Sequence, residues 1–297
     1  MPRPTGRALL ARTGNPLLTD AQKPTLSVIL PAHNEARLIG ACLRALFASQ
    51  SVSGGAEAIV VANGCTDGTA DEARACTEAA TARGWHLTVL ERAQSGKPGA
   101  LNAGEAMARA RVLAYLDADV IVSPALCSEL VQALDRDVAA YASGRVVIPT
   151  PETAFSRAYA RFYRQVPFFH HGVPGCGLFA MNRPARARWS EWPAIISDDT
   201  FARLNFTPSE RIAVPALYDW PIVEGFGALV RVRRRQDAGV AEIGRLYPAL
   251  RANEDPRPSG PGWVIRAGLR APLGFAAYVT VALATRLHRG KGWARGR

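Results

Sequence analysis

Short apolar runs alternate with amphipathic patterns along the first part of the chain. The apolar runs predict buried strands at Leu26–Leu30, at 56–63 and at 86–92, and the helical patterns lie at 35–49, 69–84 and 98–111. Strands that alternate with helices form parallel βαβ units. The sequence therefore predicts an α/β protein with a doubly wound, mostly parallel sheet flanked by helices.

The most informative apolar run is Val112–Val122, VLAYLDADVIV, which contains two carboxylates. We interpret it as one buried strand, in which alternation places Asp117 and Asp119 on the same face. Carboxylates at the end of a buried strand are costly unless they meet cations, so the pair predicts a shared metal ion. Asp135 and Asp137 have the same spacing, but they end a helical pattern and indicate a solvated surface.

Polar side chains gather where the predicted strands end. Asn34, Asn63 and Lys97 fall at or just beyond strand ends, as do Asp117 and Asp119. Open α/β sheets bind ligands beyond the carboxyl ends of their strands. This convergence predicts one ligand site along that edge of the sheet.

Beyond Pro124 the strict alternation ends. The predicted elements are a helix over 124–137, an apolar stretch over 138–149, a helix over 151–166 and a short strand at Leu178–Met181 after the loop FFHHGVPGCG. Two adjacent carboxylates in ISDD then precede a helix-like stretch, and ALVRVRRR carries four closely spaced arginines.

Charge is distributed unevenly along the 297 residues, whose net charge is +11. From Arg231 onward fourteen Lys or Arg accompany four Asp or Glu, whereas the preceding part is nearly balanced. We therefore expect no nucleic-acid partner, and an anionic surface met by the C-terminal part. Five scattered cysteines without a CxxC predict free thiols in a reducing compartment and no structural zinc.

Five segments become recognisable when they are taken together and in order: SVILPAHNE, VVANGCTDGT, SGKPGALNAG, YLDADVIV and ISDD. They resemble the family 2 glycosyltransferases of the GT-A fold over about residues 25–235. The resemblance implies a nucleotide-sugar-binding half at 25–122 and an acceptor-binding, catalytic half at 123–235. A loose N-terminal extension, 1–24, and a basic helical C-terminal extension, 236–297, are expected to flank them.

The resemblance implies that the first half of the sheet binds a nucleotide-sugar donor. By similarity the donor contacts are Pro31, Ala32, Glu35, Asn63, Lys97 and Asp117. Asn63 departs from the family pattern, because many members carry there an Asp that meets uracil. An amide can accept from an imide N–H and can also donate to a carbonyl, so a UDP-sugar is favoured while guanosine and thymidine stay open. The structural alternative for Asn63 is a turn residue that tolerates positive φ.

Asp117 and Asp119 match the DXD motif of the family. The resemblance implies that Asp119 binds Mn²⁺ or Mg²⁺ directly, and that Asp117 contacts the ribose or a metal-bound water. A cation at this position would neutralise the diphosphate as it leaves. The alternative is a pair of strand-end carboxylates matched with arginines.

Asp198 and Asp199 fall where the family usually has Glu-Asp, of which the second is the general base. We therefore predict Asp199 as the base, with Asp198 as second choice or acceptor contact, and helix capping as the structural alternative. Gly175 and Gly177 are expected to let the backbone approach the sugar or the acceptor. The family inverts configuration by direct displacement, which requires no covalent nucleophile.

The predicted activity is an inverting hexosyl transfer that moves one sugar to an envelope or lipid-linked acceptor. Processive members carry a QxxRW motif and several transmembrane helices, and we find neither in the sequence. A nucleotidyltransferase of related fold is the alternative, although PAHNEARL is not the Gly-rich, basic loop that opens such enzymes. A non-catalytic homologue that binds nucleotide-sugar or a partner protein is the third, and a dehydrogenase is the least favoured, since no GxGxxG opens a βα turn.

The C-terminal extension has fifteen uncharged residues between Arg270 and Arg286, interrupted by Pro272 and Gly274. A spanning helix needs about 20 apolar residues. We therefore expect either an interfacial helix on an anionic membrane or a helix packed on the domain. The N-terminal residues lack the apolar region of a signal peptide, so we expect a cytoplasmic protein that can be peripheral on the inner face of the plasma membrane.

Overall fold

The structure, a computed structural model, describes residues 23–94, 96–256 and 262–287. Its strands are β1 (Leu26–Ala32), β2 (Ala56–Asn63), β3 (Trp85–Arg92), β4 (Val112–Leu116), β5 (Ile121–Val122), β6 (Tyr141–Val147), β7 (Leu178–Asn182) and β8 (Arg211–Asp219). Its helices are α1 (Ile39–Phe47), α2 (Thr69–Arg74), α3 (Thr77–Ala82), α4 (Lys97–Met107), α5 (Leu126–Leu134), α6 (Ala154–Tyr163), α7 (Arg183–Arg186), α8 (Asp198–Leu204), α9 (Phe226–Leu246), α10 (Gly262–Arg270) and α11 (Pro272–Leu287). The expected N-terminal extension lies outside the described residues apart from its last two positions.

The strands form one sheet in the order β3-β2-β1-β4-β7-β6-β8-β5. The first four of these strands are parallel to one another. β7 is antiparallel to both β4 and β6, β8 is parallel to β6, and β5 is antiparallel to β8. The predicted mostly parallel α/β sheet is confirmed, and its second half is mixed.

Helices cover both faces of this sheet. Val28 of β1 packs in one apolar cluster with Leu43 of α1 and Leu126 of α5, whereas Ile29 packs in another with Leu101 of α4. Neighbouring residues of a strand point to opposite faces, so β1 contributes to two cores at once. Gly104 of α4 brings that helix close, because a Cβ there would lie 2.5 Å from Ile29 Cγ2. The doubly wound arrangement predicted from sequence is therefore present.

The prediction of a single strand over Val112–Val122 is wrong, because two strands are joined there by a turn. Residues 117–120 separate β4 from β5, and Val120 N donates to Asp117 O at 3.1 Å. β4 lies inside the sheet and β5 at its edge, so the chain has to leave one strand to reach the other. Asp117 and Asp119 therefore lie in a turn, and strand alternation does not explain their proximity.

Two predicted helices differ from the structure, and one strand has no prediction. The pattern at 69–84 forms two helices, α2 and α3, and the helix predicted through Arg111 ends at Met107. Two residues beyond the end of this helix, the backbone N of Arg109 donates to Glu57 Oε1 at 2.8 Å and so ties the chain to β2. Strand β8 contains Pro215, which lies where the pairing of β8 with β6 shifts register. Proline within a strand is confined to edges and bulges, so the sequence gives little sign of this one.

The C-terminal helices pack onto the domain. Gly274 of α11 is buried on α6, where a Cβ would lie 2.6 Å from the carbonyl oxygen of Ala158. The Phe162 ring of α6 lies 5.3 Å from the ring of Phe275 and 4.9 Å from that of Tyr278. Within the described part of the chain, no helix is long and apolar enough to cross a membrane.

A partly buried carboxylate joins the two halves of the sheet. Glu105 of α4 accepts hydrogen bonds from Tyr115 Oη at 2.6 Å, from Arg186 Nε at 2.7 Å and from Trp192 Nε1 at 2.5 Å. Replacing Glu105 with Ala would leave the buried Arg186 guanidinium without its counter-charge, so we expect a loss of about 3–5 kcal/mol in the free energy of unfolding. Urea denaturation measures it, and Asp71→Ala in an exposed ion pair, expected to cost less than about 1 kcal/mol, is the control. Equal effects of the two variants would contradict the role of Glu105.

Candidate active site

An open cleft of about 770 Å³ lies beyond the carboxyl ends of the strands. Ten of the eleven predicted site residues line it: Pro31, Ala32, Glu35, Asn63, Lys97, Asp117, Asp119, Gly177, Asp198 and Asp199. They come from the end of β1 and the loop after it, the end of β2, the start of α4, the turn after β4, the residue before β7 and the start of α8. Gly175 is outside the lining and packs against the buried Tyr141, whose Oη would lie 1.8 Å from a Cβ at that position.

Lys97 joins two carboxylates from different parts of the chain. Its Nζ lies 2.8 Å from Asp117 Oδ1 and 3.1 Å from Asp198 Oδ2. Pro98 follows it in the first turn of α4, where the fixed φ of proline suits a helix start. Burial alone would lower the pKa of Lys97, but the carboxylates of Asp117, Asp198 and Asp199 raise it above its ordinary value. The ammonium group therefore stays charged.

Asp198 and Asp199 are adjacent in sequence but differ in environment. Asp198 is only 4% exposed, and burial raises its pKa to about 6 against the opposing effect of Lys97. Asp199 is half-buried in the cleft, and its Oδ1 accepts from the backbone N of Thr200 at 2.6 Å. Asp198 pairs with Lys97 rather than capping α8, so the capping alternative is wrong for Asp198. Asp199 is the more accessible of the two carboxylates.

The turn that carries Asp117 and Asp119 is held by the start of β7. The backbone N of Asp117 donates to Gly177 O at 2.8 Å. Gly177 has φ of 72°, and a Cβ there would lie 2.5 Å from Cδ1 of Trp220. A side chain at this position would thus collide with the cleft wall, which explains the glycine.

The oxygen ligands of the cleft fit a divalent cation. Asp117 and Asp119 offer hard carboxylate oxygens of the kind that Mg²⁺ and Mn²⁺ prefer. Asp198 Oδ2 is buried and lies 3.1 Å from Lys97 Nζ, so that oxygen is already matched with a positive charge. No group of three or more His, Cys, Asp or Glu among those residues is arranged to hold an ion alone. The residues therefore suit a cation that is held by one or two carboxylates together with phosphate oxygens of a ligand.

Asn63 occupies the far end of the cleft, at the last position of β2. Its Nδ2 donates to the carbonyl oxygen of Gly96 at 2.8 Å, while its Oδ1 is buried without a hydrogen bond to any described residue. Its φ is not positive, because Asn34 is the only non-glycine residue of the described chain with positive φ. The turn alternative for Asn63 is therefore wrong, and the adjacent Gly64, with φ of 64°, makes the turn. A buried unsatisfied acceptor is costly unless a ligand completes it.

The loops that border this end of the cleft are tied to each other. Asn34 Oδ1 accepts from the backbone N of Thr66 at 2.8 Å. The backbone N of Glu35 donates to Thr69 Oγ1 at 2.8 Å. These two bonds join the loop after β1 to the loop after β2. Pro31, Ala32 and Glu35 are thus held on a fixed wall of the cleft.

Several cleft residues are absent from the sequence predictions. Arg92, the last residue of β3, lines the cleft, and its Nε is buried without a hydrogen bond among described residues. Arg92 ends a predicted strand just as Asn63 does, so the same argument would also have predicted Arg92 as a site residue. The wall beyond the aspartates is formed by α6, α9 and the segment after β8, with Tyr159, Tyr163, Trp220, Ile222, Val223, Leu229, Arg233 and Arg235. Those on α6 and α9 lie away from any strand end, and Trp220, Ile222 and Val223 follow β8, a strand that the sequence does not predict, so only the three-dimensional arrangement reveals this wall.

The fold is that of the GT-A proteins, a mostly parallel sheet, and it places an aspartate turn, a lysine and a second carboxylate pair at one edge. Residues 27–207 match the family described as Glycosyl transferase family 2, and the chain belongs to that family. The resemblance of the five sequence motifs is thereby confirmed.

Three known proteins are similar to this chain. Glycosyltransferase AglE of Haloferax volcanii is 36% identical over 115 residues, which are 39% of this chain and only 34% of AglE. Mannosyltransferase PcManGT from Pyrobaculum calidifontis, solved in complex with GDP-Man and Mn²⁺, has a TM-score of 0.55 at 22% identity, over 92% of this chain and 77% of that one. TarS 1–349 of S. aureus in complex with UDP-GlcNAc has a TM-score of 0.49 at 14% identity, over 90% of this chain and 93% of that one. The likeness to PcManGT establishes the fold alone.

Proposed function

We propose that this protein transfers a single hexose from a nucleotide-sugar, with a UDP-sugar favoured, to an acceptor hydroxyl with inversion. One observation carries the proposal. In a single cleft, Lys97 binds both Asp117 of the donor half and Asp198, the neighbour of Asp199 in the acceptor half. A nucleotidyltransferase or a non-catalytic binding protein is the alternative.

The nucleobase is proposed to meet Asn63. One N–H of Nδ2 donates to Gly96 O, whereas Oδ1 is buried without a hydrogen bond to any described residue, so Oδ1 is the atom proposed to contact the base. Uracil, thymine and guanine each have a ring N–H that can donate to it, whereas cytosine and adenine have unprotonated ring nitrogens on that edge. This supports a UDP-sugar and keeps GDP- and dTDP-sugars as further donors. Pro31, Ala32 and Glu35 would line the base and ribose.

The diphosphate is proposed to lie between Lys97 and the aspartate turn. Asp119 and Asp117 would hold Mn²⁺ or Mg²⁺, and the cation would neutralise charge on the departing nucleoside diphosphate. Lys97 adds a fixed positive charge at the same place, and its two carboxylate partners orient it. Asp198 would thus act mainly by positioning Lys97.

Asp199 is proposed as the general base. Its carboxylate takes the proton of the acceptor hydroxyl as that oxygen attacks the anomeric carbon. The bond from this carbon to the diphosphate oxygen breaks on the opposite side, and its electron pair leaves with the nucleoside diphosphate. A single displacement inverts the anomeric configuration and needs no covalent enzyme intermediate. Asp199 can accept the proton because it is half-buried in the cleft and not engaged by Lys97.

The acceptor is proposed to bind along the wall formed by α6 and α9. Tyr159, Ile222 and Leu229 give this wall an apolar and aromatic character, and Arg235 lines it without an ion pair or hydrogen bond to another described residue. Such a surface suits an envelope sugar carried on a lipid. Gly177 lies between this wall and the aspartate turn, while Gly175 would act only through the packing of its loop. We further propose a peripheral location on the inner face of the plasma membrane.

The nucleobase assignment is tested by calorimetry with UDP, GDP, dTDP and CDP in the presence of Mn²⁺. We expect UDP to bind most tightly and CDP at least about tenfold more weakly, because cytosine lacks the ring N–H that uracil would donate to Asn63 Oδ1 and has an unprotonated ring nitrogen at that position. Asn63→Asp keeps an acceptor there and should retain the preference, whereas Asn63→Ala should lose it. Equal binding of CDP and UDP would contradict the Asn63 contact, and no binding by the folded protein would favour the non-catalytic alternative.

A further inference from the structure

The C-terminal helices expose large apolar side chains that a packed domain normally covers. Ile265, Leu269, Leu273, Leu283 and Leu287 are each between 52% and 79% exposed. We call these five residues the α10–α11 surface. Scattered exposed leucines are common, but several large apolar side chains exposed on two successive helices indicate an interaction site.

The spacing of these residues places them along the outer side of the helices. In α10 the exposed positions 265 and 269 are four residues apart, and 273 continues the interval into α11. In α11 positions 273, 276, 280, 283 and 287 are all exposed and recur every three or four residues. Residues at such intervals share one side of a helix.

The exposed apolar side chains are not on the side of α11 that packs on the domain. A separate side of α11, with Gly274, Ala277 and Val281, is already buried. The ring of Trp263 in α10 also lies 6.3 Å from that of Phe162. The helices are therefore docked by one side while the α10–α11 surface faces outward, so a partner for this surface is not among the residues that the structure describes.

The charge of the region identifies the chemistry of that partner. Residues 262–297 contain seven Lys or Arg and no Asp or Glu. Arg266, Arg270 and Arg286 are exposed, and none of them forms an ion pair or hydrogen bond with another described residue. An apolar stripe bordered by unpaired cations is complementary to an anionic bilayer, into which leucines insert while arginines remain at the headgroups.

We infer that the α10–α11 surface docks on an anionic membrane, with the helices lying in the plane of the headgroups. The opposite side of α11 packs on the acceptor wall of the cleft, because Tyr278 accepts from Arg233 Nη1 at 3.1 Å and stacks 5.6 Å from Tyr159. Docking would bring that wall close to the lipid. The docking makes the proposed peripheral location specific, and the delivery of a lipid-linked acceptor rests on the proposed transfer reaction.

The test is flotation of the full chain with vesicles, without donor or acceptor. We expect binding to phosphatidylcholine vesicles that contain about 30% phosphatidylglycerol and little binding to phosphatidylcholine alone. Leu269→Glu combined with Leu273→Glu should weaken binding at least about tenfold, because both apolar contacts are lost. Arg266→Glu combined with Arg270→Glu should weaken it similarly, and about 0.5 M salt should reduce wild-type binding.

Val138→Glu is the matched control, because Val138 is also a highly exposed apolar residue, at 73%, on a different part of the domain. Circular dichroism and thermal melting show that each variant is folded. The inference is overturned if wild type does not float with anionic vesicles or if the leucine variant floats as well as Val138→Glu. It is also overturned if, without lipid, the wild type is an oligomer that the leucine substitutions dissociate, since the surface would then be a protein interface. Nucleotide binding is unaffected by either result, so the two proposals can fail separately.

Discussion

Replacing Asp119 with Ala is expected to abolish metal-dependent binding of the nucleoside diphosphate and to lower kcat/KM by about 100-fold or more. The reason lies in the neighbouring side chains. Asp117 is engaged by Lys97 at 2.8 Å, and Asp198 is engaged by the same ammonium group, so neither is free to replace the lost carboxylate. Calorimetric titration of UDP into the variant, with and without Mn²⁺, measures the loss.

The chain offers a matched control for this substitution. Asp137 follows Asp135 with the same spacing, but both are exposed on the segment after α5 and neither lines the cleft. Asp137→Ala should therefore bind UDP and Mn²⁺ as the wild type does. If Asp119→Ala retains a metal-dependent affinity equal to that of Asp137→Ala, the cation is held elsewhere and the donor-site proposal fails.

Replacing Asp199 with Asn should lower kcat by about 10²–10⁴-fold while donor binding changes little. The amide has the shape of the carboxylate and can still accept from Thr200 N, but it cannot take the acceptor proton. Asp198→Asn should behave differently. It removes one of the two carboxylates that hold Lys97, so its main effect should be weaker binding of the diphosphate.

Single-turnover transfer and calorimetry on both variants separate these roles. A large loss of rate with intact UDP affinity in Asp199→Asn, and weaker affinity in Asp198→Asn, would support the proposed assignment. The reverse pattern would move the general base to Asp198. That result would require the raised pKa of the buried Asp198 carboxyl, rather than the accessibility of Asp199, to set the chemistry.

The α/β class and the location of the cleft could be predicted from the sequence because both follow from local patterns. β1 and β2 are near-continuous apolar runs, and parallel strands place their carboxyl ends on one edge. Polar residues that follow such runs, such as Asn63 and Asp117, must therefore meet at that edge. This reasoning requires no knowledge of tertiary contacts.

The remaining features depend on long-range contacts that leave little trace in the sequence. The split of Val112–Val122 follows from the pairing of β5 with β8, almost a hundred residues later, and β8 itself is obscured by Pro215. Gly175 and Gly177 have the same local sequence signal, yet one packs on Tyr141 and the other on Trp220 in the cleft. Only the packing distinguishes them.

The short turn between β4 and β5 also has a mechanical consequence. It connects a strand inside the sheet to the edge strand paired with β8, and only Val120 separates Asp119 from the start of β5. A displacement of β8 when a ligand enters the second half cannot be absorbed by a long loop, so it reaches the aspartates almost directly. A ligand bound in the second half of the cleft should then alter the affinity of the first half for its own ligand. Thermodynamic linkage makes any such effect reciprocal: the factor by which an acceptor changes donor affinity is the factor by which the donor changes acceptor affinity.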